Sequence, residues 1–596
     1  MDGGPIYIIV FLLALALLWL VPAGLKAFEG RRLILSGKYH NLAECERAID
    51  YFSRRLEQNP RDWEMHVRRG EAFAFLGDHQ QAIRDYTRAL SLHPRDESIL
   101  VSRGRSYHKL RKYDEAIWDC TRALDANPLS ILTSMVRGQA YFESGEFELA
   151  VRDYTRAIEL SPENAQLYIN RGQAYYKLEK YVEMLKDSNR ALALKPDSAV
   201  GHLNRGLAYY GLEAYEKAIQ EHSRAILLNP RYALAYNNRG RAHFKLKAYE
   251  QALTDYGRAI TINPRYVWAY NNRGQLYQER HQYERAIEDY NQALLVDPKH
   301  YEAYYYRGTA YYELKNFEQA AQDFTSALAN QPRYVPARIY RCRCSLYLKQ
   351  NRQALEDAVQ VVEIDPANAV SYLIRGMVYW YRREYEQALE DFKRAIEIDP
   401  ARSKAYIHRG DTYAYTGQLA LALDDYNHAL QLDPQSAAAC YSRGCCYLRA
   451  LELELAEDDL RRSWKLKPAA STGLMLNWLR LARDQDREDE AIARALEEVA
   501  ALDPRDAAAL VCQGVALYLR ADYDQALAKL AQAETAGPEN ENVYFWQGMV
   551  LAAMEREVEA DLAFQRTRDL GLPRVLWRLT ERLNEQAMMA YKASSK

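Results

Sequence analysis

The sequence predicts an all-α protein: a solenoid of antiparallel helix pairs preceded by one N-terminal transmembrane helix. Three observations lead to this prediction. An Arg-Gly or Arg-Cys dipeptide recurs twelve times at an interval of 34 residues, with its second residue running from Gly70 to Gly444. Each interval contains a proline at a fixed place, and an uncharged apolar stretch lies near the N-terminus. A fixed period of this length is typical of repeat proteins that present one extended surface, so the sequence favours binding over catalysis.

Length and composition narrow the class of protein. A chain of 596 residues is too long for one hydrophobic core, so we expect the repeats to form an array. The 79 basic and 81 acidic residues nearly balance, which gives no indication of a nucleic-acid partner. The eight cysteines lack the spacing of a zinc site. We expect them to be packing residues, with no bound metal or cofactor.

Residues 1–28 are predicted to form a membrane anchor. Gly3 to Leu25 carry no charge, and at about 1.5 Å per residue this stretch reaches the roughly 30 Å of a bilayer core. A cleaved signal peptide is the alternative, but such a peptide begins with basic residues, whereas Asp2 is the only charged residue before the apolar stretch. Because Lys26 and Arg31 follow, the positive-inside rule predicts a single-pass membrane protein whose repeats lie in the cytoplasm.

Residues 29–62 read as a partial repeat, and residues 63–470 read as twelve complete units of 34 residues. Within a unit, position 8 is Gly in eleven cases, position 20 is Ala in eleven, position 27 is Ala in ten, and position 32 is Pro in all twelve. Positions 4, 8 and 11 share one face of a first helix, and positions 20, 24 and 27 share one face of a second. The small residues allow the helices to approach closely, an aromatic ring at position 24 fills the remaining space, and proline ends the second helix.

This pattern resembles the tetratricopeptide repeat (TPR) family. In the first unit, the family's signature positions hold Gly70, Phe73, Ala82, Tyr86, Ala89 and Pro94. The resemblance covers most of the chain. It implies a TPR α-solenoid, a right-handed superhelix of antiparallel helix pairs that binds partners in a concave groove.

The repeat register changes after the twelfth unit. Residues 471–506 are predicted to be a degenerate repeat, because Trp478 stands where glycine is expected. Residues 507–572 then read as two further units, with Gly514 and Gly548 at the expected places. Residues 573–596 are predicted to form a C-terminal capping helix that covers the last apolar face.

An acidic residue at position 23 accompanies the arginine at position 7 in every unit. The two positions are nearly equidistant from the turn between the helices, so they should lie level with each other. We therefore predict a structural ion pair in each unit, for example Arg69 with Asp85 and Arg239 with Asp255. The alternative is a row of arginines that binds anions.

Position 6, just before the arginine, is asparagine in four consecutive units. On a helical wheel, positions 2, 6, 9 and 13 point away from the packed face, so they should line the groove. Asparagine both donates and accepts hydrogen bonds and can bind an extended peptide backbone. The arrangement is similar to the asparagine ladder of protein O-GlcNAc transferases; the alternative is a solvated helix face. The candidate peptide-binding amides are Asn170, Asn204, Asn238, Asn272, and the adjacent Asn237 and Asn271.

Farther along the chain, the same surface becomes aromatic. Tyrosine and tryptophan contribute much of the contact energy at interfaces, although core packing is the alternative explanation for some of these rings. The candidate residues are Tyr305, Tyr306, Tyr312 and Tyr340.

The sequence thus predicts a membrane-anchored TPR scaffold or adaptor that binds proteins or peptides. Its topology resembles bacterial envelope-assembly TPR proteins and organelle import receptors with an N-terminal anchor. Two alternatives stay open: a substrate-recruiting subunit of an enzyme complex, for example a glycosyltransferase-like one, and a periplasmic or secreted TPR protein. No Ser/His/Asp set, phosphate loop or metal cluster stands out, so we expect no catalytic activity and no small-molecule substrate.

Overall fold

The computed structural model describes residues 42–450, 452–483, 489–504, 506–538 and 540–569. These ranges contain 31 α-helices and no β-strand. None of these helices is both long and apolar enough to cross a membrane. The predicted anchor (1–28) and the predicted capping helix (573–596) lie outside the described residues.

The chain divides into two compact units, one ending at Pro298 and one beginning at Lys299. Helices of the first unit pair as predicted, and we term the first helix of each repeat helix A and the second helix B. The helices of the first unit are α1 (Leu42–Gln58), α2 (Trp63–Leu76), α3 (His79–Leu92), α4 (Glu97–Lys109), α5 (Tyr113–Ala126), α6 (Ile131–Ser144), α7 (Phe147–Leu160), α8 (Ala165–Lys177), α9 (Tyr181–Leu194), α10 (Ala199–Gly211), α11 (Tyr215–Leu228), α12 (Ala233–Lys245), α13 (Tyr249–Ile262), α14 (Val267–Glu279) and α15 (Tyr283–Val296).

The second unit continues the same alternation of A and B helices. Its helices are α16 (Tyr301–Glu313), α17 (Phe317–Asn330), α18 (Val335–Tyr347), α19 (Asn351–Ile364), α20 (Ala369–Tyr381), α21 (Tyr385–Ile398), α22 (Ser403–Tyr415), α23 (Leu419–Leu432), α24 (Ala437–Ala450), α25 (Leu453–Leu466), α26 (Ala470–Arg483), α27 (Asp489–Ala500), α28 (Ala507–Leu519), α29 (Tyr523–Ala536), α30 (Glu541–Ala553) and α31 (Glu557–Asp569).

Local sequence explains where the helices begin and end. The Asp62 side chain accepts a hydrogen bond from the backbone N–H of Met65, so it caps α2. The same repeat turns between its helices at position 15, where Gly77 has a φ of 86°. Other units place a non-glycine residue there, such as Lys247 with a φ of 57°. Every described turn between an A and a B helix at this position is left-handed, because this conformation satisfies the last carbonyls of helix A.

Glycine at position 8 brings each pair of helices together. A Cβ added at Gly240 would lie only 2.7 Å from Cε1 of Tyr256, so the ring occupies the space that a larger residue would need. In the unit that begins at Val335 the sizes are exchanged. Cys342 replaces the glycine and Ala358 replaces the ring, and both side chains are fully buried. This is a volume-conserving exchange of the kind that helix cores tolerate.

The degenerate segment forms the helix pair α26 and α27. Trp478, which stands at the expected glycine position, is 6% exposed. Its ring centroid lies 4.8 Å from that of Phe545 and 5.7 Å from that of Trp546. The bulky indole therefore contacts α30 of the repeats that follow, and these apolar side chains belong to one core that joins residues 448–564.

Candidate functional site

The arginine at position 7 and the acid at position 23 form paired hydrogen bonds in nearly every unit. In the most enclosed pair, Nε and Nη2 of Arg103 each donate to a carboxylate oxygen of Asp119 at 2.7 Å. The side chains are 10% and 0% exposed. Both pairs named from the sequence are present, with distances of 2.8 and 2.7 Å for Arg69 and Asp85, and of 2.9 and 2.7 Å for Arg239 and Asp255.

A third contact joins many of these arginines to the preceding repeat. The remaining terminal nitrogen of Arg103 donates to the hydroxyl of Thr87 at 3.0 Å, and that of Arg239 donates to the hydroxyl of Ser223 at 3.0 Å. A guanidinium with this third contact thus holds helix A, its own helix B and the previous helix B together. Because these donors are already bound within the protein, the geometry favours the structural interpretation over a row of anion sites.

The repeat of residues 199–232 departs from this arrangement. There Glu221 replaces the aspartate, and Arg205 donates to it through Nη2 at 2.8 Å. The other carboxylate oxygen lies 2.8 Å from Nδ1 of His202, and Nε of Arg205 is buried without a hydrogen-bond partner. The longer glutamate therefore shares its charge between two residues and loses the paired geometry.

The predicted asparagine ladder lies deeper than the sequence suggests. Asn204, Asn237, Asn238 and Asn271 are 1–4% exposed, and only Asn170 and Asn272 are half-buried. The Asn272 amide donates to Oδ1 of Asn237 at 2.9 Å, so these side chains join neighbouring A helices. Within the first unit, four of the six amides are therefore enclosed by adjacent repeats. The expectation that position 6 lines an open groove therefore needs correction for Asn204 and Asn238, and the adjacent Asn237 and Asn271 are buried as well.

The four predicted tyrosines of the second unit pack on one another. Ring centroids lie 5.9 Å apart for Tyr305 and Tyr340, 5.3 Å apart for Tyr312 and Tyr340, and 5.1 Å apart for Tyr305 and Tyr306. All four are half-buried. Mutual packing therefore accounts for part of their surface, and the rest is accessible.

Sequence reasoning missed a cavity in the second unit. The A helices α20, α22 and α24 border a space of about 510 Å³. Its wall combines the aromatic rings of Trp380 and Tyr415 with the polar side chains of His408, Asp411 and Arg449. These residues occupy positions 6, 9, 12 and 13 in three different repeats, and these positions differ from repeat to repeat. No single repeat carries a motif that would have indicated the cavity.

Charge and hydrogen bonding within the cavity are unusual for a repeat interior. The hydroxyl of Tyr426 donates to the Asp411 carboxylate at 2.8 Å. Burial raises the pKa of Asp411, and the nearby His408 and Tyr426 reduce this rise. Burial also lowers the pKa of His408. The indole N–H of Trp380 is buried without a hydrogen-bond partner.

The cysteines and other metal-binding residue types form no ion site in the described part of the chain. No group of three or more His, Cys, Asp or Glu side chains there is arranged to hold a metal ion. The eight cysteines, all within the described residues, form no disulfide, and seven of them are buried. Burial raises the pKa of Cys120 and Cys342 to about 12, which keeps these thiols protonated.

Comparisons with known proteins identify repeats in most regions of the chain. Profiles described as "TPR repeat" match residues 138–179 and 240–280. Profiles described as "Tetratricopeptide repeat" match residues 41–83, 72–131, 165–198, 271–335, 369–401 and 403–436. Together these matches cover more than half of the chain. No curated protein sequence matches it significantly.

Several solved structures are similar to this chain. A tetratricopeptide repeat protein from Parabacteroides merdae is 22% identical, with 42% of this chain and 98% of that chain covered and a TM-score of 0.39. The Cut9–Hcn1 hetero-tetramer of the APC/C is 15% identical, with coverages of 81% and 95% and a TM-score of 0.46. Yeast Tom70 is 16% identical, with coverages of 73% and 98% and a TM-score of 0.35.

Proposed function

We propose that this chain, which belongs to the tetratricopeptide repeat family, is a scaffold or adaptor that binds partner proteins or peptides through its A helices. The observation that carries the proposal is the cavity of the second unit. Aromatic walls with a few convergent polar groups are typical of ligand-binding surfaces, and tryptophan, tyrosine and arginine are the residues that dominate binding energy. The invariant ion pairs are used within the fold, so binding falls to the side chains that vary between repeats.

The unpaired indole N–H of Trp380 supports the same conclusion. A buried donor without a partner costs free energy, typically 1–3 kcal/mol, so such atoms are rare in folded proteins. A peptide ligand supplies a carbonyl at every residue. Binding that brings a peptide carbonyl to this N–H would remove the cost.

Site-specific photocrosslinking in cells tests the proposal. A benzoylphenylalanine at Tyr415, which lines the cavity and is 39% exposed, should form adducts with a small set of proteins. The matched control is the same amino acid at Trp118, which lies on the B helix α5 (Tyr113–Ala126) and is 58% exposed. An added Asp411→Asn substitution, which keeps the side-chain size, should reduce the adducts at Tyr415. Equal adducts at both positions, or adducts unaffected by Asp411→Asn, would count against the cavity as a binding surface.

We also propose that residues 1–28 anchor the scaffold to a membrane with the repeats in the cytoplasm. The uncharged stretch from Gly3 to Leu25 and the basic residues after it support this. Alkaline carbonate extraction should leave the full chain in the membrane pellet and release a variant that lacks residues 1–28. A C-terminal reporter that is active only after export should stay inactive, and its activity would reverse the orientation.

A further inference from the structure

Arg241 of the first unit lies among tyrosines. It occupies position 9 of helix α12, and its guanidinium carbon lies 4.6 Å from the centroid of the Tyr210 ring on α10. The hydroxyl of Tyr176 on α8 is a further neighbour of the guanidinium. The side chain therefore reaches across the A helices of three consecutive repeats.

No carboxylate balances this charge. Among the described residues, no Asp or Glu oxygen lies within the 4.0 Å of an ion pair with Arg241. By contrast, Arg239, only two residues away, binds Asp255 through two hydrogen bonds. Burial acts to lower the pKa of Arg241, and the phenols of Tyr210 and Tyr176 more than offset it, so the group stays charged.

A half-buried cation in such surroundings contributes little to the stability of the fold. Removing a guanidinium from water costs several kcal/mol unless an anion and hydrogen bonds replace the water. Phenol hydroxyls and aromatic faces replace only part of this stabilisation. The guanidinium has five N–H donors in a planar fork, which matches the two oxygens of a carboxylate.

A glycine of the neighbouring repeat allows a further tyrosine to pack near the guanidinium. Position 13 carries a long polar side chain in several other units, but here it is Gly211. A Cβ at Gly211 would overlap the ring of Tyr181, so this tyrosine packs directly on the end of α10. Tyr181 in turn is close enough to Arg241 for the cation to affect its pKa. The site thus consists of one cation lined by tyrosines, without a competing acidic side chain.

We propose that Arg241 binds the carboxylate of an Asp or Glu side chain in the peptide ligand, between the tyrosines of the preceding repeats. This proposal rests on the proposed function, because it assumes that the ligand is a peptide. It adds the chemical class of peptide that the first unit selects, namely one with an acidic side chain. The site differs from the invariant arginines in that its donors have no carboxylate partner within the protein.

Selection from a random dodecamer library tests the proposal. The full chain is immobilised, and all peptides carry a C-terminal amide, so that an enriched carboxylate must come from a side chain. Asp and Glu should be enriched at one position of the selected peptides. Changing that residue to Asn or Gln in the best peptide should weaken its affinity about 10- to 100-fold, as expected for a charge-assisted hydrogen-bonded pair.

Three variants of the protein complete the test. Arg241→Met should abolish the preference for acidic peptides, and Arg241→Lys should retain part of it. Arg105→Met is the matched control, because Arg105 occupies the same repeat position but is exposed, and it should leave the preference intact. Arg241→Met should also unfold at a temperature no lower than that of the wild type, since it removes a charge without a carboxylate partner. A marked fall in that temperature would instead assign Arg241 a structural role.

The possible results separate the two proposals. Peptides that bind equally well with Glu or Gln would overturn the role of Arg241 and leave peptide binding intact. Enrichment of free C-terminal carboxylates alone, in a parallel library without the amide, would also overturn the assignment to a side chain. No enrichment of any peptide in either library would overturn both proposals.

Discussion

Replacing glycine by alanine at position 8 separates packing from helix propensity, because the chain supplies two matched sites. A Cβ at Gly240 would lie 2.7 Å from the ring of Tyr256, whose side chain is 1% exposed. A Cβ at Gly172 would meet nothing closer than 3.8 Å, because Ser188 stands where the ring would be. Both glycines are buried within a helix A.

The expected energies follow from these distances. Alanine is more favourable than glycine inside a helix by about 1 kcal/mol, and both variants gain this equally. Carbon atoms in contact prefer separations of about 3.5–4.0 Å, so Gly240→Ala must displace a buried ring or a helix, which typically costs 1–3 kcal/mol. The two variants should therefore differ in their free energy of unfolding by about 1–3 kcal/mol, with Gly172→Ala the more stable.

Hydrogen exchange measured by mass spectrometry is the appropriate assay, because repeats open locally and each helix pair gives its own peptides. Gly240→Ala should speed exchange in α12 and α13, whereas Gly172→Ala should leave α8 and α9 unchanged or slower. In a Tyr256→Ser background, Gly240→Ala should no longer destabilise. Equal effects of the two alanines, or no rescue by Tyr256→Ser, would refute the packing argument.

Three further predictions concern a histidine, an ion pair and a cysteine. Burial, with the charges of Arg241 and Arg239, lowers the pKa of His222 to about 3; the unfolded chain takes up this proton near pH 6.5, so stability falls as the pH drops below that value, by about 2 kcal/mol at pH 5. His222→Phe should remove that loss, which urea unfolding at pH 7 and pH 5 would measure, and an unchanged pH dependence would contradict it. Asp119→Asn leaves Arg103 buried without its counter-charge and should lower the free energy of unfolding by about 3–5 kcal/mol, measured by the same method. A loss below about 1 kcal/mol would be incompatible with a buried ion pair. Cys445, half-buried where the other seven cysteines are buried, should react first with N-ethylmaleimide at pH 8, and peptide mapping that finds a different first site would disprove this.

Features that repeat along the chain could be predicted from the sequence. The pairing of position 7 with position 23 depends only on distances from the turn within one helix pair, and the structure contains these pairs in the units named. Glycine facing an aromatic ring is likewise a contact inside one repeat, as between Gly240 and Tyr256. Such contacts are local, so the spacing of residue types is sufficient to identify them.

Features that depend on neighbouring repeats could not be predicted in this way. A helical wheel places Asn204 and Asn238 on an outward face, but both are buried, because the wheel contains no information about adjacent A helices. Asn204, for example, donates to the carbonyl of Ile169 on the preceding helix A. The cavity around Asp411 needs side chains from three repeats, and the site of Arg241 needs a side chain long enough to reach Tyr176. Neither arrangement corresponds to a fixed spacing of residues in the sequence. Each depends on the lengths of the side chains in neighbouring repeats.

The two repeats before the one that contains Arg241, residues 165–198 and 199–232, depart from the repeat pattern in ways that lower local stability. Ser188 replaces the ring that faces glycine in other repeats, and the side chain of Met184 lies in contact distance of Gly172 instead. Glu221 gives up one of the two hydrogen bonds of the ion pair, and both ring nitrogens of His222 are buried without partners. Regions that bind ligands commonly come from the less stable parts of a fold, because a residue chosen for binding is not the best residue for packing. In the first unit, the altered ring position and the incomplete ion pair therefore lie next to the proposed Arg241 site, whereas the invariant positions give no indication of it.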